Sequence, residues 1–193
     1  MKVAPSGRLQ RPPDFTGNQL TTFRQVVTRH GLPGLVLAIA CLAVPGMLSA
    51  LNLVLQPGIS HSGTYLTATV VIFLGLLIFS AARDGELKRQ QMLWVVYLGL
   101  LSLWEEWVFR VALPQIQISM GVSFVLAIII SNLLFGAMHY FTLRWRWQWC
   151  LGAIIGGLAL SRHIHTHEDL LILTALHWLG TFINTPRPPA GRA

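Results

Sequence analysis

The chain has 193 residues, 53% of them hydrophobic and only 11% charged, with a net charge of +7 and a mean hydropathy of +0.58. Soluble domains carry about 25% charged residues, so a soluble enzyme is not expected. A disordered chain is excluded because disorder needs low hydrophobicity. Cys41 and Cys150 both lie in apolar runs, where a thiol is a small hydrophobe, so this is no secreted disulfide scaffold.

Residues 1–30 are polar and hold Pro5, Pro12, Pro13 and five Lys/Arg; they are expected to form a tail, with Leu20–Val27 as a short interfacial helix. Six apolar stretches follow, at 32–55, 64–82, 92–113, 119–140, 148–161 and 168–185. A transmembrane helix takes about 20 apolar residues. The expected fold is therefore all-α, a polytopic membrane helix bundle of about six spans over 31–185, with a short tail at 186–193. Pro45 should kink the first span.

Lys and Arg near span ends set orientation. Besides the tail's five, three fall in the 83–91 connection, two at Arg144 and Arg146, and two at Arg187 and Arg192. The alternate connections at 56–63 and 114–118 have none, and the loop after the fifth stretch has only Arg162. That alternation predicts both termini on the cytoplasmic side. Trp145, Trp147 and Trp149 interleave with the two arginines as an interfacial aromatic belt, and nucleic acid is not an expected partner. Gly152 and Gly156 are spaced for close helix packing.

Seven acidic residues are present, and Glu105 and Glu106 lie inside the third apolar stretch, in Leu103-Trp104-Glu105-Glu106-Trp107-Val108-Phe109-Arg110. One ionisable side chain at mid-bilayer costs about 2.5–3.5 kcal/mol, so three within two helical turns should face a cavity and pair. Glu106 and Arg110 are i, i+4 and can bridge, whereas Glu105 points elsewhere without a cation. The fourth and sixth stretches each carry one histidine, His139 and His177. A carboxylate with two imidazoles is a set that can activate water in a dry cavity.

Glu-Glu-x3-Arg at 105–110, Phe-x3-His at 135–139 and a later membrane histidine at 177 resemble the CPBP family of intramembrane proteases. That family includes the CAAX prenyl endopeptidases and bacteriocin-processing or self-immunity proteins. The similarity covers about residues 95–185, including a glycine-rich helix at 151–156, and the chain looks like a short, divergent bacterial member. One position departs: the family has Asn or Asp four residues after the last histidine, and here it is Thr181, with Asn184 on nearly the same face.

The resemblance implies an endopeptidase in the cell membrane that hydrolyses a membrane-associated or lipidated protein or peptide without a cofactor. Glu105, assisted by His139, would activate water; His177 with Thr181 or Asn184 would stabilise the oxyanion; Glu106 and Arg110 would support them. The alternative is a zinc protease with Glu105, His139 and His177 as ligands. A proton-coupled transporter and a non-catalytic immunity or scaffold protein are further alternatives.

Depth sets one further expectation. If a straight third span starts at residue 92, Glu105 lies about 20 Å above the cytoplasmic edge, while His139 ends the fourth span near that edge. A re-entrant or steeply tilted segment at 92–104 would let them meet. His163, His165 and His167, with Glu168 and Asp169, are read as a solvated external loop rather than a metal site.

Overall fold

A computed structural model describes residues 20–189, so most of the anticipated N-terminal tail and the last four residues lie outside it. Among the described residues the fold is all-helical. Seven helices follow in order: α1 (Phe23–Leu42), α2 (Met47–Ser60), α3 (Ser62–Asp84), α4 (Arg89–Ser119), α5 (Phe124–Thr142), α6 (Trp147–His167) and α7 (Leu170–Asn184). Four of them, α1, α3, α4 and α5, are long and apolar enough to cross a membrane, fewer than the six expected. The stretch at 32–55 splits because Pro45 and Gly46, the latter at φ 84°, end α1 and start α2. In the anticipated 56–63 connection, α2 runs on through Pro57, and His61 alone separates α2 from α3.

Two prolines explain the most consequential departures from regular helix. Pro33 and Pro114 each lie two residues beyond a π-helical turn, Val27–Gly31 in α1 and Trp107–Ala112 in α4. A proline inside a helix has no N–H to give the carbonyl four residues back and crowds it. Widening the preceding turn relieves that conflict without stopping the helix. Hence α4 continues past 113, where the apolar stretch was expected to end, and the turn to α5 comes only at 120–123. Glu105 and His139 then stand at nearly equal distances from that turn, and they meet with 92–104 as ordinary helix rather than a re-entrant segment.

Residues 20–30 are not a free tail. Leu20, Val26 and His30 are buried, the N-terminus of α1 is capped by Thr22, and Phe23 packs edge-on to Trp94 and Tyr97 of α4. Small residues on one face of α1 permit the close approach. A Cβ on Gly31 would come within 2.9 Å of the Tyr97 ring, and Trp107 donates its indole N–H to the Ala38 carbonyl at 3.2 Å.

On the other side α4 packs along α7, where Trp178 donates to the Val95 carbonyl and Trp94 to the Thr185 carbonyl. Asp169 caps α7 through the amides of Leu171 and Ile172, and Tyr65 donates to the same carboxylate. Leucine, isoleucine and valine side chains on the outer faces of α1, α3 and α5 remain exposed, including Val36, Leu66, Ile78 and Val125. So large an apolar surface fits contact with lipid rather than water.

Candidate active site

Glu105 and Glu106 end the α-helical part of α4, immediately before the π turn, and are 2% and 0% exposed. Arg110 lies within that turn. Its Nε is 3.4 Å from Glu106 Oε2, which is the pair expected from i, i+4 spacing, and its guanidinium stands 4.2 Å over the Phe135 ring. Burial of two acids and one arginine is tolerable only if the charges are matched nearby. Three histidines from three other helices do the rest.

His177 of α7 places Nδ1 2.5 Å from Glu106 Oε1 and Nε2 3.7 Å from Glu105 Oε2. From α5, His139 holds its Nδ1 2.9 Å from the Phe135 carbonyl and its Nε2 3.9 Å from Glu105 Oε1. The third is His30 of α1, with Nε2 2.9 Å from Glu105 Oε1 and Nδ1 2.7 Å from Thr142 Oγ1. A carbonyl only accepts, so His139 carries its hydrogen on Nδ1 and, when neutral, turns a lone pair on Nε2 towards Glu105. The contact of His177 Nδ1 with a carboxylate oxygen sets that ring the same way.

His139, His177 and Arg110 also line a cavity of about 430 Å³ between α5, α6 and α7. Thr181 and Asn184 are on its wall, though Asn184 has committed one amide hydrogen to the Gly180 carbonyl at 3.0 Å. The two glutamates sit behind this wall.

The glycines divide differently from the packing expected of them. A Cβ at Gly152, Gly156 or Gly180 would touch nothing within 4 Å, and all three line the cavity. Gly157 is the tight one: a Cβ there would press on the Asn132 side-chain oxygen and stand 2.8 Å from Arg110 Nη2. Asn132 is itself fixed, donating to Ser161 Oγ at 2.9 Å. The open glycines therefore shape space rather than close a helix pair. Gly156→Phe is expected to leave thermal unfolding unchanged while filling the cavity, so KM for any substrate entering there should rise at least tenfold; unchanged KM would place substrate elsewhere.

Geometry adds one residue that sequence reasoning missed and regroups the metal candidates. His30 was assigned to the tail. The signal for it was the small-residue spacing of Gly31, Gly34 and Ala38 just after it, which marks a face packed closely on another helix. Among the described residues, the metal-capable group whose ligand atoms lie within 4.8 Å of one another is His30, Glu105 and His139. His177, which the zinc alternative requires, is not in it. His163, His165 and His167 lie on the last turns of α6 instead of in a loop, with the His163 and His167 rings 4.5 Å apart.

A family model described as type II CAAX prenyl endopeptidase Rce1-like matches residues 87–183, half of the chain, from the start of α4 nearly to the end of α7. The chain belongs to the Rce1-like family. No curated protein and no solved structure matches it. The match spans Glu105, Glu106, Arg110, His139 and His177, so the residues that converge in space are those of an Rce1-like region. His30 lies outside it. Membership makes this a membrane protein of a CAAX-type protease family.

Proposed function

We propose that this Rce1-like protein is a metal-independent, glutamate-based intramembrane endopeptidase. The observation that carries the reading is the position of the Glu105 carboxylate between His139 Nε2 and His177 Nε2, at 3.9 and 3.7 Å. Both gaps exceed a direct hydrogen bond and suit a bridging water.

Such a water attacks the peptide carbonyl carbon as Glu105 and His139 take its proton. The C–N bond breaks when that proton reaches the leaving amine, giving one carboxylate and one amine. His177, carrying a proton on Nε2 as well as on the Nδ1 that faces Glu106, donates to the oxyanion beside Thr181 or Asn184 on the cavity wall. Glu106 fixes His177 by its short contact, and Arg110 holds Glu106. The substrate is the exposed tail of a membrane-associated or lipidated protein, entering the cavity beside α6, and nucleic acid has no part. Basic residues at alternate connections favour both termini on the cytoplasmic side of a bacterial cell membrane.

A zinc-dependent reading rests on the spacing of His30, Glu105 and His139. Cleavage of a quenched peptide library by protein in liposomes, with and without a strong chelator, separates the two. Activity that survives chelation but is lost in His139→Ala is the expected result. Activity abolished by chelation and restored by zinc would replace the water-activating carboxylate with a metal centre.

A further inference from the structure

His30 is fully buried in the π turn of α1, outside the residues that match the family, and it contacts Glu105 more closely than either His139 or His177 does. Its hydrogen-bond partners determine where its protons are. Thr142 has one hydroxyl hydrogen, and the 2.6 Å contact of Oγ1 with the Met138 carbonyl uses it, since a carbonyl can only accept. Thr142 Oγ1 therefore receives a hydrogen from His30 Nδ1, 2.7 Å away. On the opposite side Nε2 faces the Glu105 carboxylate at 2.9 Å, where two bare lone pairs would repel. One proton therefore lies between Nε2 and Oε1.

That shared proton leaves the His30–Glu105 pair with no unmatched charge. Glu106 has Arg110, and Glu105, which the sequence left without a partner, has His30. Charge matching of this kind is what allows two carboxylates to sit in a dry interior. His139 and His177 face the remaining sides of Glu105, and the His30 and His139 rings meet edge-on with centroids 5.0 Å apart.

We propose that His30 is a positioning residue for the water-activating carboxylate: held by Thr142, its ring fixes the orientation of Glu105 through the 2.9 Å contact, so that α1 is part of the working site. This rests on the glutamate-protease reading. A misplacement of about 1 Å in a reacting group costs about 10²-fold in rate.

The test compares His30→Phe, which keeps a ring without a donor, His30→Gln, which keeps a donor without a ring, and Thr142→Val. Wild-type cleavage that is lost in Glu105→Gln first establishes the reading on which the inference depends. His30→Phe should then lower kcat about 10²-fold with KM within twofold, His30→Gln should recover much of that loss, and Thr142→Val should fall between. Equal losses in the Phe and Gln variants, or kcat in both within twofold of wild type, would overturn the assignment.

A readout without turnover keeps the two questions apart. In ¹⁵N-histidine-labelled protein in liposomes, His30, identified by its absence from His30→Gln, should have a protonated Nδ1 and a hydrogen-bonded Nε2. Thr142→Val should shift its Nδ1. An unprotonated Nδ1 or a zinc-bound His30 would overturn the proposal even if no substrate is found.

Discussion

Glu105→Gln is expected to lower kcat/KM by about 10²–10⁴-fold, the range that a positioned general base contributes, in protein that still folds. The amide is nearly isosteric with the carboxylate and can still meet His139 and His177 through water, but it cannot take a proton. Folding should survive because the amide can donate to His30 Nε2 across the 2.9 Å contact while His30 Nδ1 keeps Thr142. The measurement is steady-state cleavage in liposomes beside thermal unfolding in detergent. Retention of full activity with an unchanged melting profile would remove Glu105 from the chemistry, and with it the proposed mechanism.

Arg110→Met should instead be destabilising, by about 3–5 kcal/mol, the cost of leaving one member of a buried ion pair without its partner. Glu106 is 0% exposed, so water cannot replace the guanidinium. The Phe135 ring beneath Arg110 and the Gly157 backbone beside it would also lose a neighbour. Restoring neutrality should restore most of the stability, so Glu106→Gln combined with Arg110→Met is expected to melt closer to wild type than Arg110→Met alone. An additive double variant would mean that the two side chains contribute independently and that the 3.4 Å contact carries no coupling between them.

The two expectations separate function from support within a single motif. Adjacent glutamates on a helix face directions about 100° apart. Glu106 turns towards Arg110 and His177 Nδ1, while Glu105 turns towards His30 and the outward nitrogens of His139 and His177. Loss of the first should chiefly unfold the site. Loss of the second should chiefly silence it.

By itself, the sequence determined the solvent, the helical class and most of the buried ionisable cluster. Runs of apolar side chains require lipid, lipid requires internally bonded backbone, and only charged residues with partners are tolerated there. That is why Glu105, Glu106, Arg110, His139 and His177 stand out from composition and spacing alone, and why the i, i+4 pair could be read directly. Helix ends and depths were not legible, because Pro114 looks like a stop; only in three dimensions does a π turn carry α4 past it and level Glu105 with His139. The tertiary structure also decided which glycines pack and which open a cavity, since identical residues differ only in what stands opposite them. It alone brought in His30, whose 75-residue separation from Glu105 gives no local periodicity to read and whose role depends on a helix-to-helix contact.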